Sequence, residues 1–297
     1  MLIFAAPGQG SQSQGFLTPW LEAFPGLKQR LAEYSDACAK DLVELGTTAD
    51  EDTIRDTSVA QPLIVGAALA VYRECFDGQA QGVVGHSVGE FAAAAIAGII
   101  SDAEAMQLVA IRANAMAEAA ALEQSSMAAV LGGEESAVMA AIEQHGLYAA
   151  NYNGAGQIVA AGSRPGIDAL VAAPPERARV IELKVAGAFH TPFMATAVAK
   201  LEQAAASVNP KDPAVSIWTN KDGSEVKSGQ QYLDFLVAQT ASAVRWDKCM
   251  NQLQNLSAKV VELPPAGALS GLIKRGAPAA SALALKNPED VSKVSTL

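Results

Sequence analysis

The sequence predicts an α/β protein with a smaller domain inserted into it, and two observations carry that expectation. A short apolar run, Val83-Val84, enters Gly85-His86-Ser87-Val88-Gly89 and opens into Phe91-Ala92-Ala93-Ala94-Ala95-Ile96-Ala97, which makes a strand–turn–helix. Further along, roughly between 125 and 187, the elements run βαββαβ, the order of a split-βαβ, ferredoxin-like unit. Residues 1–124 and 188–297 are therefore expected to form a large α/β domain, interrupted by a small domain at 125–187.

In chain order, Leu2 to Ala6 reads as a buried strand that runs into Pro7-Gly8-Gln9-Gly10-Ser11-Gln12. The glycines of that loop let its main chain approach another group closely, and the lysine of a phosphate-binding loop is absent. A helix-rich region from Trp20 to about Leu45 precedes a polar segment, Gly46 to Ser58. Gln61-Pro62 opens a helix carrying Leu63, Ala67, Ala70 and Val71, and Asp77-Gly78 turns the chain into the strand before Ser87. A long helix from about Asp102 to Glu123 places Ala105, Val109 and Met116 on one stripe, with Arg112 among them.

The inserted unit begins at the strand Met127 to Leu131 and continues as a helix from Glu134 to His145. Leu147 to Tyr152 and Gln157 to Ala161 form a hairpin around Asn153-Gly154-Ala155-Gly156; a helix over Pro165 to Val171 and a strand from Arg179 to Leu183 complete it. Ala214 to Trp218 and Val260 to Leu263 read as further core strands, Arg245 to Asn255 as a helix, and a last helix ends near Arg275. The polar residues after it read as a loose tail.

The 297 residues can bury a substantial core, and half of them are apolar. The longest apolar run, Phe91 to Ile100, is too short to span a bilayer, and Met1-Leu2-Ile3-Phe4 lacks the basic start of a signal peptide. Cys38, Cys75 and Cys249 are odd in number and far apart, so neither a disulfide framework nor a metal site is expected, and the compartment expected is the cytoplasm. A net charge of −10 argues against nucleic acid and anionic membrane as partners.

The chemistry centres on Ser87. A sharp turn leaves room only for small residues two positions either side, and both are Gly. The turn presents the hydroxyl above a helix N-terminus, whose free N–H groups and dipole favour the anion of an acyl-transfer intermediate. The alternative is a glycine-rich turn with an incidental serine. A nucleophilic serine needs a base, and the chain holds three histidines. His86 should point to the opposite face of its strand, and His145 ends a helix, so elimination leaves His190 in Gly187-Ala188-Phe189-His190-Thr191-Pro192. No acid announces itself as a third member; Asp222-Gly223 is an ordinary turn signal. Arg112 has no acid within reach on its own helix, so it needs a carboxylate from elsewhere, and a buried structural ion pair is the commoner reading.

Pro7-Gly8-Gln9-Gly10-Ser11-Gln12, Gly85-His86-Ser87-Val88-Gly89-Glu90, Arg112 and Ala188-Phe189-His190-Thr191 together resemble the malonyl-CoA:acyl-carrier-protein transacylase family, and the similarity runs to Gly271-Leu272-Ile273-Lys274-Arg275. That resemblance implies a hydrolase-like α/β core with a mainly parallel sheet and a ferredoxin-like insertion. It implies that Ser87 carries a malonyl ester, that His190 moves the proton, and that the backbone N–H groups of Gln9 and Val88 form the oxyanion hole. It further implies that Arg112 binds the malonyl carboxylate, and that a backbone carbonyl, at the position matched by Asn255, orients the histidine. The partners implied are malonyl-CoA and acyl carrier protein, with no cofactor and no metal.

Related acyltransferase domains tend to have Phe before the histidine and Val after the nucleophile when the extender is malonyl, and Phe189 and Val88 stand here. Pro264-Pro265-Ala266-Gly267 departs from the Gly-Pro-Gly turn of many relatives. A start at Met1 without flanking linkers suggests a free-standing enzyme. The rival readings are a serine esterase or thioesterase, against which Arg112 counts, and a non-catalytic carrier-binding subunit, against which the intact Ser87 and His190 count.

Overall fold

A computed structural model describes all residues, 1–297. Nine strands occur along the chain: β1 (Leu2–Ala6), β2 (Gly82–Gly85), β3 (Ser125–Gly132), β4 (Tyr148–Gly154), β5 (Gln157–Ser163), β6 (Ala178–Glu182), β7 (Ser216–Trp218), β8 (Lys259–Glu262) and β9 (Ser281–Ala284). They form two sheets. The first has the order β7-β2-β1-β8-β9 and every pair in it is parallel. Such a sheet must be covered on both faces, and its strands show it. Phe4, Ala6 and Val83 enter one apolar core, whereas Ile3, Ala5 and Val84 enter another on the opposite side.

The second sheet has the order β4-β5-β3-β6 and is antiparallel throughout, the arrangement expected of a ferredoxin-like unit. The period of two again separates its faces. Ala128, Val130, Ile158 and Ala160 pack under the helices Glu135–Gln144 and Arg164–Ala172. Met127, Val159 and Ala161 turn the other way, against Ala115, Met116 and Phe189 of the large part of the chain. The edge of β4 is also tied down: the Val244 N–H donates to the Ala150 carbonyl, and the Tyr152 N–H to that of Val244, both at 2.9 Å.

Helix starts follow their caps. Ser101 and Glu104 form a reciprocal capping box at the helix Asp102–Leu122. The helix expected to open at Gln61-Pro62 begins earlier, at Thr57, because the Asp56 carboxylate accepts the Ser58 N–H and starts the helix ahead of the proline. The polar segment before it contains the short helix Glu51–Arg55, capped by Asp50. The expectation of a loose tail is overturned. Ser281–Ala284 is the edge strand β9, paired in parallel with β8, and a 3-10 segment, Pro288–Thr296, packs Val291 and Val294 on the main core. Ser-Ala-Leu-Ala is too short and too weakly apolar to announce a strand; the exposed edge of β8 supplies its hydrogen bonds.

No helix is long and apolar enough to cross a membrane.

Candidate active site

Ser87 sits at the turn between β2 and the helix Gly89–Ile96 with φ +52°, a left-handed backbone held by its surroundings. A Cβ on Gly85 would lie 2.2 Å from the Glu90 amide nitrogen, and one on Gly89 would lie 2.2 Å from the Ala6 carbonyl oxygen. Both glycines are therefore required by space. The Ser87 N–H donates to Asn220 Oδ1 at 2.7 Å, while Asn220 Nδ2 donates to the Gly85 carbonyl at 2.8 Å. One amide side chain thus braces the elbow on both sides of the nucleophile.

The Ser87 Oγ lies 2.7 Å from His190 Nε2, and His190 Nδ1 lies 2.9 Å from the Gln239 carbonyl oxygen. A carbonyl can only accept, so Nδ1 carries the proton and Nε2 presents its lone pair to the serine hydroxyl. Burial and the nearby Arg112 charge hold the imidazole well below its ordinary value, at about 3, which keeps it neutral with the Nε2 lone pair free. Asn255 is not the orienting residue. It lies exposed at the end of the helix Trp246–Asn255, and the carbonyl that meets His190 comes from Gln239, where the helix Gly229–Ala238 passes into a 3-10 turn.

The other two histidines do different work. His86 does not face away from the cavity but lines it, with Nε2 3.0 Å from Asn153 Oδ1 on β4 and its ring edge-on to Trp246. The left-handed Ser87 follows it directly, and both residues line the same cleft. His145 caps the helix Glu135–Gln144, as its position suggests. Asp222 accepts the Ser224 N–H in a local turn and belongs to no triad.

Arg112 is only 1% exposed yet forms no ion pair, which removes the structural ion-pair reading. Its Nη1 donates to Gln61 Oε1 at 2.6 Å, and its Nη2 to Gln239 Oε1 at 3.1 Å and Ser87 Oγ at 3.4 Å. The Phe91 ring lies 5.8 Å from the guanidinium carbon, and Nε has no partner. Burial lowers this cation to about 10, with Glu90 pulling the other way, so it stays charged at neutral pH. A buried cation held by neutral amides is electrically incomplete.

Gln61, Glu90, Asn220 and Gln239 are the site residues that sequence reasoning missed. Glu90, inside an apolar helix, and Gln61, at the start of another, were visible as buried polar anomalies. Asn220 and Gln239 carry no local signal, because their partners lie 133 and 152 positions away.

These groups surround a cavity of about 670 Å³ between the two sheets. Gln9 and Val88 both line it, and neither backbone N–H donates to another group of the protein. The loop bearing Gln9 is fastened to the Glu51–Arg55 helix, with the Gln9 amide on the Arg55 carbonyl at 3.3 Å and the Gln12 amide on that of Ile54 at 3.1 Å. Lys184 and Arg275 are exposed where they line the cavity.

A parallel-sheet elbow with a serine–histidine pair, two N–H groups that donate to no other group of the protein and a buried cation defines a serine acyltransferase site. The family model for the acyl transferase domain matches residues 3–287, and the chain belongs to that family, in its malonyl CoA-acyl carrier protein transacylase branch. It is 46% identical to the malonyl CoA-acyl carrier protein transacylase of Mycobacterium tuberculosis, with both chains covered in full. The crystal structure of MCAT from that organism superposes with a TM-score of 0.95 at 46% identity, covering 99% of each chain. A malonyl-transacylase solved in complex with a type II polyketide synthase acyl-carrier protein superposes with a TM-score of 0.91 at 28% identity, covering 99% of this chain and 98% of that one.

Proposed function

We propose that this chain transfers a malonyl group from malonyl-CoA to the phosphopantetheine thiol of an acyl carrier protein, by a ping-pong route through Ser87. His190 Nε2 takes the Ser87 proton as Oγ attacks the thioester carbonyl carbon. The backbone N–H groups of Gln9 and Val88 donate to the oxyanion that forms. Collapse breaks the carbon–sulfur bond, and the CoA thiolate leaves with the proton from His190. In the second half the carrier thiol gives its proton to His190 and attacks the malonyl ester, and Ser87 recovers the proton as it departs.

The observation that carries this reading is the buried Arg112, without a carboxylate partner, 3.4 Å from the Ser87 hydroxyl. A malonyl carboxylate would complete it with paired, charge-assisted hydrogen bonds, which an apolar ester could not do. Substrate class and nucleophile are thereby linked through one cation. The free Cys38, Cys75 and Cys249 support a cytoplasmic setting, and residues 125–187 are taken as the inserted domain.

Mass measurement tests the reading. Malonyl-CoA should leave a malonyl adduct on Ser87 that holo carrier protein then removes. CoA release with free malonate in place of an adduct would make the protein a thioesterase, and no CoA release at all would make it a binding subunit.

A further inference from the structure

Glu90 is 1% exposed and takes no part in the steps above, yet its carboxylate binds Asn220 and Gln239, the two residues that brace Ser87. One carboxylate oxygen accepts the Asn220 backbone N–H at 2.8 Å and the Tyr232 hydroxyl at 3.3 Å. The other accepts the side-chain amide of Gln239, which also donates to the Ser87 carbonyl at 3.1 Å. The amide of Gln239 could in principle sit either way round. Reversed, its oxygen would face the Glu90 carboxylate and the Ser87 carbonyl, and its NH2 group would face the Arg112 guanidinium. Both contacts would then be repulsive, so the carboxylate selects the orientation with Oε1 toward Arg112.

We propose that Glu90 is a positioning residue which, by locking the Gln239 amide, holds Arg112 aimed beside Ser87 and so sets the preference for an acyl group bearing a carboxylate. The proposal rests on the reading of Arg112 as the carboxylate clamp. Glu90 acts through Gln239: no hydrogen bond or ion pair joins it to Arg112 itself. The same Gln239 presents its main-chain carbonyl to His190, so one residue carries the clamp on its side chain and the base on its backbone. A neutral amide at position 90 cannot serve the donors on both sides. If its oxygen accepts the Asn220 N–H, its NH2 meets that of Gln239 and turns the amide over, taking the acceptor away from Arg112.

The test compares kcat/KM for malonyl-CoA and acetyl-CoA in Glu90→Gln, Gln239→Met, the double variant and Arg112→Ala, each with a melting curve. Losing one buried charge-assisted contact should lower the malonyl-to-acetyl ratio about tenfold or more in Glu90→Gln and in Gln239→Met. The double variant should fall no further than Gln239→Met, because the first change acts only through the second residue. Equal losses for both substrates in step with melting temperature, or additive losses in the double variant, would overturn the proposal. Gln239→Met keeps it testable if Glu90→Gln does not fold: an unchanged ratio there overturns it. Arg112→Ala separates the two readings. A ratio that collapses in Arg112→Ala but holds in the other variants defeats the proposal alone, whereas a ratio unchanged in Arg112→Ala defeats the clamp and the proposal together.

Discussion

The Arg112 guanidinium stands 3.4 Å from the Ser87 hydroxyl, although an arginine cannot act there as a base. The His190 imidazole, 2.7 Å from the same oxygen, already fills that role. What the cation adds is a fixed positive charge within one acyl chain of the reacting centre, in a site where burial removes the screening of water.

Arg112→Ala should therefore cost malonyl transfer about 2–5 kcal/mol, the usual result of truncating one member of a buried charge pair. Acetyl transfer should not suffer, since acetyl leaves the arginine unpaired in the unaltered protein. Rates with the two thioesters decide it, and an unchanged malonyl-to-acetyl ratio would sink the clamp.

Ser87→Ala should abolish the adduct. His190→Ala should slow acylation by about 10²–10⁴-fold, the range of a positioned proton acceptor. Quenched single-turnover assays with malonyl-CoA measure both, and near-normal acylation by His190→Ala would reopen the choice of base.

With His190 depressed to about 3, the acid limb of acylation that reports this imidazole should lie far below its ordinary 6.5. The same shift bears on stability. Between those two values the unfolded chain binds a proton that the folded site refuses, so this group destabilises the fold as pH falls from 6.5 toward 3. Glu90, raised to about 7 by burial, has the opposite slope: its contribution is lost as pH rises from 4.5 toward 7. Melting temperatures of His190→Ala relative to the unaltered protein should rise on acidification through this window. A difference independent of pH would mean that the imidazole is not desolvated.

Gly89→Ala should destabilise the protein by about 3 kcal/mol or more, because a methyl group there meets the Ala6 carbonyl of a central strand. Chemical denaturation reads the loss directly. A stable, active variant would show that the elbow can open without harm.

Arg177, Arg179, Lys184, Lys274 and Arg275 are all exposed, and two of them line the cavity. Against a net charge of −10, an acidic carrier protein is expected to dock through a local basic rim, and these residues are its candidates. Charge reversal at these positions should raise the KM for carrier protein, most at low salt, and leave acylation by malonyl-CoA unchanged. An unaffected KM at low salt would place the docking rim elsewhere.

Local physics made the two sheets readable before any coordinates. Val83-Val84 followed by glycines two places either side of Ser87 reads as a tight strand-to-helix turn, and the unbroken apolar run Met127 to Leu131 reads as a strand. His190 followed by elimination among three histidines, and Arg112 as a charge misplaced on an apolar stripe. The resemblance supplies Gln9 and Val88, which line the cavity and whose N–H groups donate to no other group of the protein. The residues that align these parts were not readable. Gln239 meets His190 across 49 positions and Ser87 across 152, while Asn220 meets Ser87 across 133. No spacing rule spans such separations, which explains why the sequence points to Asn255 in place of Gln239 and why the last strand reads as a tail. Hydrogen-bonding groups in those segments find their partners only after the parallel sheet has closed, so their roles are decided by tertiary packing, whereas a turn, a helix stripe or a strand alternation is decided by residues in direct succession.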